Sequence, residues 1–354
     1  MKLVAPFALS TLAFAMTGLS ASAFADAEFE RKVEDRLAKL EQQGASKGNM
    51  LGDKVTFSGL VEIEASMGDK TEFADKSYSD LTVATVELGI AAEINEKVDA
   101  EIVLLYEEGE TELDVDVATL SFEDLIGPVD LLVGKQYLPF GRFETALVND
   151  TLALELAETN KTAALFGLEQ DGLTIGAYLF DGSVDRERHT ENYGLTVSFA
   201  QDNFSAGFDY ISALSESDAI SEEVDAADLE SDDGAISLSG SLNLDAVTII
   251  GEYLTAVDDI EYNNESRELS AFQIEVDFAA KIGQKDYTIG FAIQETDDAG
   301  GWLPEQRLSF GGSTEVYENV GLAVEFWRDT DYSDAKGGTD EKSNNIVVQL
   351  AAEF

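Results

Sequence analysis

Apolar and polar residues alternate along most of this chain, in segments of about ten residues separated by turn-forming residues. In the segment 268–280, for example, Phe272 and Ile274 fall on one face while Gln273 and Glu275 fall on the other. A repeat of two residues is the signature of a β-strand with one apolar and one polar side. The pattern therefore predicts an all-β protein built from long antiparallel strands.

The pattern resolves into sixteen strands, an even number. Short turns and long connections alternate between them, as in a barrel with short periplasmic turns and long external loops. The alternation holds only if residues 151–158, which could form one more strand, belong to a third external loop over 138–161 that is long enough to fold inward. The predicted strands are 55–66, 81–93, 97–107, 113–123, 129–137, 162–170, 172–181, 192–201, 203–212, 234–243, 245–256, 268–280, 284–295, 305–315, 318–329 and 343–354.

The last predicted strand carries a further signal. In residues 343–354, Ile346, Val348 and Leu350 share one face, and the final residue is Phe354. An alternating last strand that ends in Phe is typical of bacterial outer-membrane barrels, where it serves as an assembly signal. The alternative, a soluble β-sandwich, would bury its apolar faces between two sheets and needs no such residue. We therefore predict a transmembrane antiparallel up-and-down β-barrel of sixteen strands.

The N-terminal region predicts an exported protein. Lys2 precedes an apolar run over 3–19, and the small residues of 20–25 allow cleavage after Ala25, as in a signal peptide. The alternative is a membrane anchor, but the run is short and small residues follow it directly. The expected location is the bacterial outer membrane.

Residues 26–54 are predicted to form a separate segment before the barrel domain of 55–354. Val33, Leu37 and Leu40 have the spacing of a short coiled-coil seam. A short periplasmic helix is therefore expected here, which either joins subunits or has no partner.

Composition and charge agree with a barrel and narrow its function. After residue 25 no apolar run is long enough for a membrane helix, and only helices and closed barrels satisfy the backbone in lipid. The formal net charge is −49, which repels nucleic acid and attracts cations. Two compatible explanations are solvated surface loops and a lumen that favours cations. The absence of Cys excludes structural disulfides.

The same alternation assigns acidic strand residues to the lumen, because a charge is costly on the lipid face. An acidic lumen favours cations. The predicted lumen residues are Glu62, Glu64, Glu87, Glu101, Glu252, Glu275, Asp277 and Glu325.

Charged residues also cluster around the third external loop. An inward loop that meets charges on the wall would set the constriction of the lumen. Its apolar residues, such as Leu138, Phe140 and Leu152, would pack the loop on its own strands, and the two interpretations are compatible. The predicted constriction residues are Lys135, Arg142, Glu144, Asp150, Glu155, Glu158 and Lys161.

Catalytic and metal-binding chemistry has little basis in this sequence. His189 is the single histidine and lies in a predicted loop, with no Ser or Asp spaced to form a catalytic set. The acidic run 215–233 could collect Ca²⁺, but it lacks the spaced EF-hand pattern and is predicted to be a solvated loop. We predict no enzyme activity, no catalytic residues, no cofactor and no bound metal.

Several stretches form motifs, among them GKQYLPFGRFET at 134–145 and DTDYSDAKGGT at 329–339, with others at 150–159, 250–253 and 303–305. Together they resemble the LbtU-type siderophore porins, a family of single-domain outer-membrane barrels, over most of the chain after the leader. The resemblance implies passage of an iron–siderophore complex. An acidic lumen fits an anionic chelate poorly, and an energy-coupled receptor would need a plug domain and a larger barrel.

The predicted function is passive diffusion of small hydrophilic solutes through an outer-membrane porin that favours cations, with siderophore uptake implied by the resemblance. The expected partners are outer-membrane lipid and the solutes, with no nucleic acid, and the assembly is a homotrimer or a monomer. The alternative from another class is a structural or adhesive surface barrel whose acidic loops bind cations or a partner.

Overall fold

The computed structural model includes one long β-rich domain. The predicted signal sequence, the N-terminal helix, His189 and part of the acidic run lie outside the residues that it describes. Among the described residues, no helix is long and apolar enough to cross a membrane. The described residues are 54–71, 73–74, 76–182, 190–223, 234–262 and 265–354.

Sixteen antiparallel strands close into a barrel, and their order around it follows the chain, with the first strand paired to the last. Two further short strands, β12 and β13, form a separate hairpin. The strands are β1 (Val55–Gly68), β2 (Tyr78–Asn95), β3 (Val98–Tyr106), β4 (Asp114–Ile126), β5 (Val129–Tyr137), β6 (Asn160–Gln170), β7 (Leu173–Phe180), β8 (Asn192–Gln201), β9 (Phe204–Ile211), β10 (Ala235–Leu244), β11 (Val247–Ala256), β12 (Ile260–Tyr262), β13 (Glu265–Arg267), β14 (Ser270–Ile282), β15 (Lys285–Asp297), β16 (Gln306–Tyr317), β17 (Val320–Thr330) and β18 (Lys342–Glu353).

The predicted fold class is confirmed, including the exclusion of 151–158 from the barrel. That stretch contains a short helix, α1 (Leu152–Ala157), and a second helix, α2 (Asp218–Glu223), lies in the loop between β9 and β10. The sequence pattern missed the β12–β13 hairpin. It also placed the end of the third loop too late, because β6 already begins at Asn160. The third loop is therefore 138–159.

The faces of the strands carry opposite chemistry. On β14, Phe272 and Ile274 are 39% and 41% exposed, while Gln273 and Glu275 are 1% and 0% exposed. Apolar side chains thus cover the outside and polar side chains are enclosed, the reverse of a soluble protein. This arrangement is the one that a lipid environment requires of a barrel wall.

The short turns at one end of the barrel have the backbone that tight hairpins need. Asp171 and Gly172, which join β6 to β7, both have positive φ, at 53° and 79°. Two successive residues of this kind make a two-residue hairpin turn whose twist matches that of the strands. All the long loops lie at the opposite end, which we call the long-loop end.

The interior at the long-loop end contains an apolar core. Residues from the third loop, from the loops that follow β9, β11, β15 and β17, and from the strands beneath them pack together there. Simple alternation predicts a lumen that is polar along its whole length. The apolar core shows that the lumen is not polar at the long-loop end. The core residues are Leu138, Phe140, Ala153, Leu156, Ala157, Ala163, Leu165, Tyr178, Phe180, Ile211, Ala213, Leu214, Ile220, Ala235, Leu254, Ala256, Ile260, Leu269, Ala271, Ala299 and Tyr332.

Candidate functional site: the lumen and its inward loop

The third loop leaves β5, crosses the interior of the barrel and returns at β6. Within it α1 packs against β11, β14 and β15, on the far side of the barrel from β1 to β4. Between 141 and 151 the loop has no regular secondary structure. Its backbone N–H groups therefore need partners from elsewhere, since a buried backbone donor without one is costly.

Carboxylates on the barrel wall supply these partners. Both oxygens of Glu252 on β11 accept backbone hydrogen bonds, from Arg142 N at 2.9 Å and from Phe143 N at 2.7 Å. On β9, Asp209 Oδ2 accepts from Gly141 N at 3.3 Å. Two wall positions, on the strands either side of β10, thus fix three successive peptide units of the loop.

The same arrangement continues around the wall. Glu275 on β14 accepts from Ala146 N and from the Thr145 hydroxyl, each at 2.7 Å. Glu325 Oε2 on β17 accepts from Val148 N and Asn149 N, each at 2.8 Å. We call Asp209, Glu252, Glu275 and Glu325 the wall acids. Each of them satisfies backbone N–H groups of the loop that would otherwise be buried without an acceptor.

Amide side chains complete the attachment. Gln294 Oε1 on β15 accepts from Leu152 N at 2.7 Å, at the start of α1. The Thr151 hydroxyl caps the same helix by accepting from Leu154 N at 3.1 Å. Gln273 Nε2 donates to the Glu144 carbonyl at 3.0 Å. The loop is thereby bound along its length, not only at its ends.

A buried ion-pair network holds the helical end of the loop. Arg307 on β16 donates to Asp329 Oδ1 at 2.8 Å, to Glu155 Oε1 at 2.6 Å and to the Asp150 carbonyl at 3.2 Å. Burial raises the pKa of the Glu155 carboxyl above its ordinary value, and the adjacent Arg307 guanidinium offsets only part of that rise. The guanidinium thus joins two strands and the loop.

The second base inside the barrel is Arg142, on the loop itself. Its Nη2 lies 3.3 Å from the Thr196 hydroxyl, to which it donates, and 3.6 Å from Asp209 Oδ1. Gly207 leaves room for it, because a Cβ at that position would lie 3.2 Å from Arg142 Nε. Arg142 and Arg307 are therefore each paired with a carboxylate of the barrel wall.

Two further glycines shape the wall to the loop. A Cβ at Gly290 would lie 3.0 Å from Leu147 Cδ2, and one at Gly311 would lie 2.8 Å from the same atom. Gly290 and Gly311 lie on the adjacent strands β15 and β16. Leu147 therefore occupies a notch that exists only because these wall positions have no side chain.

The other predicted lumen acids lie outside this attachment. Glu64 is half-buried and accepts from Gln349 Nε2 at 2.9 Å, while Glu101 is half-buried on β3. Glu62 and Glu87 are buried on β1 and β2, and Asp277 is buried beside Glu275. The predicted set thus divides into three acids that hold the loop, four acids on the first three strands, and Asp277 beside Glu275.

The predicted constriction residues lie in two places, the third loop and the strands that flank it. Arg142, Glu144, Asp150, Glu155 and Glu158 belong to the loop, as predicted from the sequence. The structure does not bring the two lysines into it. Lys135 is on β5, where its ammonium donates to the Val115 carbonyl at 2.5 Å, and Lys161 is on β6, 3.5 Å from Glu216 Oε2. The positive charges of these two lysines therefore lie on β5 and β6 and not in the loop.

Several functional residues were missed. All of them occupy inward positions on strands, so the alternation that identified Glu252 and Glu275 would have identified them too. The prediction named only acids as lumen residues and so passed over Thr196, Gln294 and Arg307, and of the acids it did not include Asp209 and Asp329. The missed residues are Thr196, Asp209, Gln294, Arg307 and Asp329.

No family model matches the chain. A "UPF0422 protein" of Coxiella burnetii is 25% identical over 351 residues, which cover 90% of this chain and 75% of that protein. A "UPF0422 protein" of Legionella pneumophila strain Lens is 23% identical over 317 residues, 78% of this chain. The chain spans 59% of that Legionella relative's length. The predicted membership of the LbtU-type family stays a prediction.

Solved porins share the fold. An anion-selective porin from Comamonas acidovorans matches with a TM-score of 0.62 and 13% identity, over 85% of this chain and 99% of its own. OprB of Pseudomonas putida matches with a TM-score of 0.64 and 8% identity, over 88% and 97%. The channel DcaP of Acinetobacter baumannii matches with 0.60 and 13%, over 87% and 99%. At these identities the likeness establishes the barrel fold.

Proposed function

We propose that this protein is an outer-membrane channel through which small hydrophilic solutes diffuse, with a preference for cations. The observation that carries the proposal is the third loop, which crosses a closed, lipid-compatible barrel and is fixed to the wall by a row of carboxylates. Such a loop narrows the lumen without closing the barrel at its strands. A structural or adhesive barrel would have no need of it.

The distribution of charge supports the cation preference. The wall acids accept hydrogen bonds from loop N–H groups, Arg142 lies beside Asp209, and Arg307 pairs with Asp329 and Glu155. Glu64, Glu87 and Glu101, on the first three strands, are separate from that attachment. They are the acids that we expect a permeating ion to meet.

The test is conductance and reversal potential of the purified protein in a planar bilayer under a KCl gradient. We expect a stable conductance that favours K⁺ over Cl⁻. Neutralising the three acids together, as Glu64→Gln, Glu87→Gln and Glu101→Gln, should move the reversal potential towards zero.

The control is a triple variant of equal charge change, Asp258→Asn, Glu261→Gln and Glu268→Gln, in the exposed loop between β11 and β14. It should keep the reversal potential of the natural protein. Anion selectivity, or an equal shift in both triple variants, would contradict the proposed role of the three lumen acids. A barrel that never conducts would contradict the channel itself.

Narrower parts of the proposal concern the solute and the assembly. Passage of an iron–siderophore complex rests on the sequence resemblance and is tested by its uptake into proteoliposomes.

A homotrimer is the assembly that we propose. A porin of similar fold, OmpT of Vibrio cholerae (TM-score 0.53), has been solved in a trimer form. Native mass spectrometry in detergent measures the number of subunits directly.

A further inference from the structure

A second group of oxygen atoms lies at the long-loop end, apart from the wall acids. It forms where the third loop returns to β6 and meets α2, and where the loop between β3 and β4 comes close. We call Glu107, Asp116, Glu158, Asn160 and Asp218 the oxygen cluster. Its members come from five different elements or loops.

Hydrogen bonds tie the cluster together. Asn160 Nδ2 donates to Asp116 Oδ1 at 2.9 Å, and the Tyr137 hydroxyl donates to the same atom at 2.9 Å. Asn160 N donates to Asp218 Oδ2 at 3.0 Å, and Asp218 N donates to the Glu158 carbonyl at 2.8 Å. The backbone and side chains around the cluster are therefore fixed.

Glu107 belongs to the cluster through its charge. Its Oε2 accepts from the Thr111 hydroxyl at 2.7 Å, within the loop between β3 and β4. Its carboxyl lies close enough to Glu158 to repel it, as do those of Asp116 and Asp218. Four carboxyl groups thus share a small region of the long-loop end.

Two acceptors in the cluster have no hydrogen-bond donor. Glu158 is 8% exposed, and its Oε1 is buried without a partner. The Oδ1 of Asn160 is also buried without a partner. The backbone at Glu158 has ψ of 136°, so the chain is extended there and side chains two residues apart leave on the same side. The side chains of Glu158 and Asn160 therefore leave the chain on the same side.

No described residue donates a hydrogen bond to either of these two acceptors. Lys135 is near Asp116 but donates to the Val115 carbonyl. Lys161 lies 3.5 Å from Glu216. Burial, and then the charges of Asp218, Asp116 and Glu107, raises the pKa of the Glu158 carboxyl well above its ordinary range. A buried carboxylate is costly without a positive partner.

We propose that the oxygen cluster binds a primary ammonium group, with Glu158 Oε1 and Asn160 Oδ1 as two acceptors of its N–H bonds. An ammonium carries three donors and one positive charge, which matches two open acceptors surrounded by carboxylates. In the described part of the chain, no group of His, Cys, Asp or Glu side chains could hold a metal ion. The occupant that we infer is therefore a cation that donates hydrogen bonds.

This inference deepens the proposed function and rests on it in one respect. It names amine-bearing cations as a class of solute that the channel takes from the long-loop side. Binding itself requires only the folded barrel, so it is measurable even if the barrel does not conduct.

The test compares two salts of equal charge on the full chain, folded in detergent. Methylammonium has three N–H donors, whereas tetramethylammonium has none. We expect methylammonium chloride to raise the thermal unfolding midpoint in a saturable way, and tetramethylammonium chloride at equal concentration to leave it unchanged. In Glu158→Gln the affinity for methylammonium should fall about tenfold or more, because the amide oxygen still accepts a hydrogen bond but no longer carries the negative charge that strengthens it.

The matched control is Asp258→Asn, which removes one carboxylate from an exposed loop. It should keep the methylammonium response. Equal responses to both salts, or an unchanged response in Glu158→Gln, would overturn the inference. A saturable response to CaCl₂ with none to methylammonium would also overturn it, in favour of a metal site.

Glu158→Gln should fold, since glutamine keeps the shape and removes a buried charge. Circular dichroism and the midpoint without added amine check this. The two proposals fail separately. A methylammonium response in a barrel without conductance would contradict only the channel, and conductance without a methylammonium response would contradict only the binding site.

Discussion

One buried side chain, Arg307, joins β16, β17 and the third loop. Arg307→Met should free the loop, because removing one partner of a buried ion pair costs roughly 3–5 kcal/mol and leaves Glu155 and Asp329 without their base. Hydrogen exchange over 150–157, measured by mass spectrometry, should become faster by orders of magnitude.

Arg328→Met is the matched control, since Arg328 is the neighbouring exposed arginine and bonds only to Asn344 among the contacts described. Exchange in the loop should stay at the natural rate in that variant. Equal exchange in both variants would mean that the wall acids alone hold the loop.

The raised pKa of the Glu158 carboxyl leads to a prediction of how the stability of the third loop depends on pH. The pKa of this carboxyl in the folded protein is raised, chiefly by burial, above the ordinary value near 4.5. The folded state therefore binds this proton more tightly than the unfolded state, and the contribution to stability is lost as pH rises through the folded-state pKa.

Exchange protection of α1 should thus be greater at pH 5 than at pH 8 in the natural protein. In Glu158→Gln, which mimics the protonated form, that difference should shrink. An identical pH dependence in the two proteins would assign the effect to other groups.

At the scale of the element, the third loop takes its conformation from the wall and not from its own sequence. Strands could be predicted because alternation is local and lipid enforces it. The inward loop followed from counting turns. The attachments could not be predicted, because Arg142 N and Glu252 are 110 positions apart and Val148 N and Glu325 are 177 apart. No local pattern encodes such pairs.

The notch for Leu147 gives a prediction about the loop as a packed element. Gly290→Val should displace the loop, because even a Cβ there would lie 3.0 Å from Leu147 Cδ2 and 2.8 Å from Asp277 Oδ1. The displaced loop should lose protection against hydrogen exchange. Leu147→Ala in the same chain should restore part of that protection, as measured in a double-mutant cycle.

Gly167→Ala is the control, since a Cβ at that position meets nothing within 4 Å. Loop exchange should be unchanged there. Additive effects of Gly290→Val and Leu147→Ala would show that the two positions are independent, contrary to the notch.

At the scale of the whole molecule, the lumen is asymmetric. The apolar core and the third loop occupy the side of β6 to β17, and the acids Glu64, Glu87 and Glu101 lie on β1 to β3. Replacing 141–151 with a short Gly-Ser linker should therefore raise the conductance while the preference for K⁺ persists, because those acids remain. Single-channel recording measures both quantities. Unchanged conductance would mean that the apolar core, not the loop, sets the narrowest point.

The closure of the barrel has a consequence for how the chain reaches this state. Gly59 N donates to the Phe354 carbonyl at 2.8 Å and Phe354 N donates to the Gly59 carbonyl at 3.0 Å, so the seam joins residues almost three hundred positions apart. Contacts of such sequence separation form slowly, since the chain entropy must be lost before they stabilise anything. Until this seam forms, β1 and β18 are open edges that can pair with any other strand. The stage between the pairing of the internal hairpins and the meeting of β1 with β18 is therefore the one at which this chain is most open to mispairing.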